Sequence, residues 1–322
     1  MTPRAAIIAN PTRIDLDEVR RVLPIVERRH GWEPTLVLET TVEDAGAGQT
    51  REALERGAEL VIAAGGDGTV RLVAEQLVEA EADVPFAVVP AGTGNLLARN
   101  LGIAEYGARD ALSIAFGGRD RRIDLARADV EREDGGRDSF VFAVIAGFGI
   151  DAGMIEHTDD TLKERIGWPA YIGGIAKWLL AGDAFRGRYR VGSGRSWGTR
   201  AATLMVGNCG LLQGGMRLLP EARIDDGRLD MIIMRPHGPI GWSMVGAGIV
   251  ARGIAKQFRV SRLRSRDAVE GRRRILNYYQ DAEFTFRLDT GPQAFEVDGD
   301  TAGAITAAHF SAIPEALTVR VA

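Results

Sequence analysis

An α/β domain followed by a mainly antiparallel β domain is the fold class this sequence predicts, and three observations predict it. Short apolar runs alternate with helical patterns through the first third of the chain, as layers of parallel strands and helices do. Two glycine-rich stretches, Gly65-Gly66-Asp67-Gly68-Thr69 and Pro90-Ala91-Gly92-Thr93-Gly94-Asn95, each directly follow an apolar run. Beyond about residue 123 strand-like segments separated by turns take over, with few helical patterns between them.

Taken in order, Ala5 to Ala9 reads as a buried strand that ends at Asn10-Pro11. Val19, Val22, Leu23 and Val26 then recur at helical spacing and give the next helix one apolar face. Thr35 to Leu38 is the second strand, and Gln49 to Arg56 a helix with a polar face. Leu60 to Ala64 is the third strand; the helix after it carries Val70, Val73, Ala74, Leu77 and Val78 on one stripe. Phe86 to Val89 is the fourth. In the second half, Arg137 to Ile150, Ala202 to Val206, Leu229 to Met234 and Glu283 to Leu288 read as strands, the third of them alternating, with a hairpin turn at Gly192 to Gly198. Helical insertions are expected at Leu162 to Leu180 and Gly241 to Phe258.

Composition narrows the class. At roughly 150 residues per domain, 322 residues predict two domains, and 45% hydrophobic content excludes disorder and collagen-like repeats. A net charge of −4 argues against a nucleic-acid partner. A lone cysteine, Cys209, forms no internal disulfide and no cysteine-based zinc site, which fits a reducing cytoplasm. The chain start shows no signal-peptide pattern. The longest uncharged stretch, Pro236 to Ala251, is shorter than the roughly 20 residues of a membrane-spanning helix, so a soluble protein is expected.

The chemistry is expected at the glycine-rich stretches, because ligands of open α/β sheets bind at the carboxyl ends of the strands. Glycines let the main chain approach phosphate oxygens, the next helix adds amide donors and a partial positive charge, and Thr69 and Thr93 offer hydroxyls. Asp67 is the odd member. A carboxylate beside phosphates repels them unless a cation mediates, so a divalent metal is expected near Asp67. The chain has no Gly-x-x-x-x-Gly-Lys-Ser/Thr loop and no Gly-x-Ser-x-Gly elbow, and its four histidines lack metal-ligand spacing.

Gly65-Gly66-Asp67-Gly68-Thr69 resembles the nucleotide signature of diacylglycerol kinases, sphingosine kinases, NAD kinases and phosphofructokinases. The loop Pro90 to Asn95 and Asn10-Pro11 resemble the lipid-kinase branch, as do, in order, Gly147 to Asp151, the Leu162-Lys163…Ala170-Tyr171 segment, Asp225 to Asp230 and Val297-Asp298-Gly299-Asp300. Nearly the whole chain is thus similar to the bacterial soluble diacylglycerol/sphingosine-kinase-like lipid kinases. The resemblance implies an ATP-binding α/β domain at 1–123, a β-sandwich lipid-substrate domain at 124–304, and a segment at 305–322 whose strand, Ala312 to Val321, returns to the first domain, with the site in the cleft between them.

It implies transfer of the ATP γ-phosphoryl group to a lipid hydroxyl, most simply diacylglycerol giving phosphatidic acid in phospholipid biosynthesis. Asn10, Pro11, Arg13, Thr40 (or Thr41), Gly65, Gly66, Asp67, Gly68, Thr69 and Thr93 would hold the nucleotide and its Mg2+. Asp300, standing where the family has Glu, would be the general base. Asp226, with backbone oxygens near Arg223 and Arg228, matches a structural magnesium position, though Asp-Gly before a strand is also an ordinary hairpin turn. Asp124 matches a member of the magnesium network, or is a junction aspartate bonded to its neighbouring arginines. Asp151 faces the lipid headgroup or caps the next segment.

The chain departs from the family at Thr12-Arg13-Ile14, where members carry Ser-Gly-Lys, and at Arg71, where they carry Asn. The nine Arg and Lys residues between Arg252 and Arg274, after Trp242, Met244, Val245, Ile249 and Val250, suit either peripheral contact with the inner face of the membrane or a solvated charged face. Helix Ile166 to Leu180 reads either as the wall of an acyl-chain cavity or as core. Exposed sheet edges leave a homodimer open. Two rivals stand beside the lipid kinase. One is an NAD kinase, disfavoured by Asp298-Gly299-Asp300 and the Leu162 to Leu180 insertion; the other is a non-catalytic nucleotide- or lipid-binding protein, favoured by the changes at Asp300 and Arg13. Acceptors other than diacylglycerol also remain open: a sphingoid base, phosphatidylglycerol, a polyisoprenol or a glycolipid.

Overall fold

The computed structural model describes residues 2–149, 184–212, 217–236, 241 and 275–322. They form two compact units: Met1–Leu125 with Ile224–Gly227 and Ile313–Ala322, and Ala126–Arg223 with Arg228–Ala312. The boundary lies two residues beyond position 123, and residues 305–312 stay with the second unit.

In the first unit four strands come early: β1 (Ala5–Ala9), β2 (Leu36–Glu39), β3 (Leu60–Gly65) and β4 (Phe86–Pro90). The helices are α1 (Leu16–His30), α2 (Ala47–Glu55), α3 (Asp67–Glu79), α4 (Leu96–Leu101) and α5 (Ala108–Gly117). The strands run parallel in the order β2-β1-β3-β4, and Val319, near the end of the long β16 (Ala307–Val321), pairs in parallel with Phe86. Val19, Val22, Leu23 and Val26 of α1 pack with Ala111, Leu112, Ala115 and Phe116 of α5 over Ile7, Ile62 and Val89. Asp15 starts α1 by accepting the Asp17 and Glu18 N–H groups, a cap whose loss costs about 1 kcal/mol.

The second unit is a sandwich of two mainly antiparallel sheets. One sheet holds the part of β5 (Arg119–Glu131) from Ala126 onward, β6 (Arg137–Phe142), β8 (Phe185–Val191), β9 (Trp197–Ala201), β13 (Glu283–Leu288) and the first part of β16. The other has the order β12-β11-β10-β7-β14-β15, where β7 is Ile145–Phe148, β10 Thr203–Gly207, β11 Leu229–Met234, β12 Leu276–Asp281, β14 Gln293–Val297 and β15 Asp300–Ile305. Phe148, Phe185 and Phe286 meet between the sheets with ring centroids 4.8 to 5.6 Å apart. Each fully buried ring of this kind contributes about 1.5–3 kcal/mol.

Three local expectations change. The stretch Arg137 to Ile150 contains two strands, β6 and β7, broken at Ala143-Val144. The strand β11 does not alternate: all six residues are buried, because Leu218 and Leu219 pack against its Ile232 and Met234 on the second face. The returning strand starts at Ala307, well before the Ala312 that its pattern suggested. Apart from Gly241, the two expected helical insertions lie outside the described residues.

Candidate functional site

Strand order turns outward in both directions between β1 and β3, and ligands of open α/β sheets bind at such a switch point. Asn10 sits there: its N–H donates to the Ala64 carbonyl at 2.8 Å, which ties the end of β1 to the end of β3. Its side-chain oxygen accepts from the N–H (3.0 Å) and the hydroxyl (2.8 Å) of Thr12. That Asx-type turn holds Pro11 and Arg13 on the exposed rim. Thr40 follows β2, is 6% exposed, and donates its N–H to Ala9 at 2.9 Å; Thr41 beside it is exposed.

The two glycine-rich loops lie against each other. Ala91 N–H donates to the Gly65 carbonyl at 3.0 Å. A Cβ on Gly92 would stand 2.8 Å from the Gly66 Cα, closer than real Cβ atoms come, so a side chain there would push the loops apart. Asn95 accepts the Gly92 N–H at 2.8 Å and closes the second loop. Beyond Gly66 the helix α3 begins with Asp67, Gly68 and Thr69, and its partial positive charge lies at the loops. Thr69 is buried, its side chain packed under Gly65. Thr93 is exposed on the second loop.

Asp67 is held between the loops. Its Oδ1 accepts the Leu96 N–H at 2.6 Å, and a Cβ on Gly94 would strike its Oδ2. One carboxylate beside two phosphate-sized glycine loops suits Mg2+, which takes one or two carboxylates and draws its other ligands from phosphate and water. Among the described residues no three His, Cys, Asp or Glu side chains gather as a metal cage. Arg71 forms an ion pair with Glu75 at 3.0 Å along α3.

The acidic residues further on have other surroundings. Asp124 is 2% exposed; its two oxygens accept the Gly227 N–H (2.6 Å) and the Glu315 N–H (2.8 Å), and its own N–H donates to Ile224 at 2.7 Å. This carboxylate thereby fixes Ile224–Gly227 within the first unit, and Arg121 adds an ion pair to Asp225 at 2.7 Å. Asp226 is half-buried in that segment, which stands well after β10 and is no tight hairpin between β10 and β11.

In the second unit Val297-Asp298-Gly299-Asp300 closes the β14–β15 hairpin. Asp298 (φ +50°) and Gly299 (φ +94°) are both left-handed, the two-residue turn that Asp-Gly favours. Asp300 opens β15 opposite Val297 and is exposed. Asp298 is the residue that sequence reasoning passed over. It is 4% exposed, and its carboxylate accepts the N–H groups of Ala143 (2.7 Å), Val144 (2.9 Å) and Ile145 (2.8 Å). Those three donors lie where the expected strand breaks between β6 and β7. The signal of Asp298 in the sequence was membership of the Val297-Asp298-Gly299-Asp300 motif, which does not name its distant partners. Asp151, Lys163, Ile166 to Leu180 and Arg252 to Arg274 lie outside the described residues.

Comparison with known proteins agrees with this arrangement. Residues 4–128 match the diacylglycerol kinase catalytic domain, and residues 144–242 match the YegS C-terminal NAD kinase beta sandwich-like domain. A "Probable lipid kinase YegS-like" protein of Stenotrophomonas maltophilia (strain K279a) is 34% identical over 72% of this chain and 74% of its own. A protein of the same description from Pseudomonas aeruginosa (strain PAO1) is 30% identical over 79% of this chain and 80% of its own. The crystal structure of a diacylglycerol kinase from Bacillus anthracis str. Sterne superposes with a TM-score of 0.68 over 99% of this chain and 97% of that one, at 20% identity, and shares the fold. With paired glycine loops at the switch point of its α/β unit and a β sandwich after it, the chain belongs to the YegS-like lipid kinases of the diacylglycerol kinase family.

Proposed function

We propose that the protein transfers the γ-phosphoryl group of ATP to a lipid hydroxyl drawn from a membrane, with diacylglycerol as acceptor and phosphatidic acid as product. The observation that carries this reading is the contact between the two glycine loops at Gly66 and Gly92, with Asp67 held beside them. Main-chain amides at the start of α3 and in the Gly92 loop bind and orient the phosphates, and exposed Arg13 adds a cation whose planar shape suits them. Mg2+, when bound, neutralises charge on the transferred group, and Asp67 is the carboxylate that would hold it.

In the transfer, the bond from the γ-phosphorus to its bridging oxygen breaks and a bond to the lipid oxygen forms. The hydroxyl proton passes to the carboxylate of Asp300, which is exposed at the head of β15. The test is incubation of the full chain with γ-labelled ATP, Mg2+ and a bacterial lipid extract, beside an Asp300→Ala variant. A labelled lipid that depends on Asp300 supports both transfer and base. A label that persists in the variant removes Asp300 from the mechanism, and an absent label with ATP still bound favours a nucleotide-binding protein.

A further inference from the structure

On one outer face of the second unit's sandwich, strand β8 reads Phe-Arg-Gly-Arg-Tyr-Arg-Val, with Phe185, Gly187 and Tyr189 buried and Arg186, Arg188 and Arg190 exposed. The neighbouring edge strand β9 adds exposed Arg200, the connecting turn adds exposed Arg195, and β13 on the other side adds exposed Arg287. Register sets like charge against like charge twice, Arg186 opposite Arg200 and Arg188 opposite Arg287. Directly opposed like charges destabilise a sheet. Two of these arginines have carboxylate partners: Arg287 bonds Glu131 at 2.8 Å and Arg188 reaches Asp289 at 3.5 Å. Among the described residues no carboxylate lies within ion-pair distance of Arg186, Arg190, Arg195 or Arg200, and exposed Glu283 of β13 is the remaining acid among the outward positions of these three strands.

We propose that this arginine face, centred on β8 and β9, is a docking surface for an anionic lipid bilayer. Charge on an edge strand alone would serve to block edge-to-edge pairing. Here most of the arginines stand on β8 and β13, inside the sheet, where edge protection gives no reason for them. A chain with a net charge of −4 gathers this cationic field on one sheet face, and a row of guanidinium groups matches the phosphates of a lipid surface. The assignment rests on the reading that the acceptor lipid is taken from a membrane.

The test is sedimentation of the full chain with vesicles of phosphatidylglycerol and phosphatidylcholine, against vesicles of phosphatidylcholine alone. The wild-type protein is expected on the anionic vesicles only, with binding that weakens as salt rises. The Arg186→Gln/Arg190→Gln/Arg200→Gln variant should lose about a hundredfold in vesicle affinity. It should keep its unfolding midpoint, or raise it, since the substitutions remove the Arg186–Arg200 repulsion. The corresponding triple Lys variant should bind within a few fold of wild type. Wild-type failure to bind anionic vesicles overturns the proposal, as does a folded Gln variant that binds like wild type. Arginine-dependent binding to single-stranded RNA in place of vesicles overturns it too. Phosphorylation of detergent-dispersed lipid should be the same in wild type and the Gln variant, and its absence from both would strike at the kinase reading while leaving the vesicle result to decide the docking surface.

Discussion

Asp67-Gly68 in the first unit and Asp298-Gly299 in the second are the same dipeptide just beyond a buried strand, yet their carboxylates are used in different ways. Asp67 opens a helix, lies half-buried between two glycine loops, and takes the Leu96 N–H on one oxygen. Asp298 opens a left-handed turn, is 4% exposed, and takes three main-chain N–H groups. Three main-chain donors and near-complete burial make Asp298 part of the scaffold, whereas Asp67 stands half-buried where the two glycine loops meet. The dipeptide itself does not tell them apart.

The largest effect should come from Asp298→Ala, which strands three donors at the entry to β7. Hydrogen bonds to a charged acceptor contribute about 1.5–3 kcal/mol each and do not add fully. A loss of about 4 kcal/mol is expected, read by calorimetry as a midpoint lowered by about 10 °C. A midpoint that hardly moves would dissolve the contrast with Asp67. Asp67→Ala should instead lower lipid phosphorylation about a hundredfold or more, while its thermal midpoint changes by the equivalent of about 1 kcal/mol. If that variant unfolds first, Asp67 is a scaffold residue as well.

Asp124 lies between the two cases, since it is buried and holds two main-chain donors. Asp124→Ala should cost about 2–3 kcal/mol, with faster amide exchange concentrated at Ile224–Gly227. Gly92→Ala tests the loop contact. It should raise the KM for ATP about tenfold, an effect in the 1–3 kcal/mol range of an overpacked site, with kcat less affected. The smallest effect is Tyr279→Phe, about 1 kcal/mol, through loss of the 2.7 Å bond to Tyr189. Burial first, then the Tyr189 hydroxyl, push the Tyr279 phenol above its ordinary range. Its contribution is therefore complete below about pH 10, where the unfolded phenol is still protonated, and fades as the pH climbs past that value. Melts in alkaline buffer should show that loss in wild type and less of it in the variant.

What the sequence made legible follows from how far apart the deciding residues are. The stripe Val19, Val22, Leu23, Val26 named the buried face of α1, and β1, β3 and β4 fell within a residue of their apolar runs. The glycine loops were legible because their signal is local. The break at Ala143-Val144 was not, because its cause is a carboxylate more than 150 positions later in the chain. The same holds for the hold of Asp124 on Gly227 and for the cover that Leu218 and Leu219 lay over β11. Arg186, Arg188 and Arg190 alternate visibly in the sequence, but that they face Arg200 and Arg287 needed the register.

The first unit is assembled from three pieces of chain, and Ile313–Ala322 arrives last. A ribosome therefore releases the glycine loops long before the strand segment that pairs beside β4. At about 5–20 residues per second, on the order of ten to forty seconds separate residue 125 from residue 313. During that interval the β4 border of the nascent sheet stands without Val319 opposite Phe86. The unit that begins the chain completes itself after the unit inserted into it, which makes its unfinished border a place for a chaperone to act and makes a cut after residue 125 a poor way to isolate a nucleotide-binding fragment.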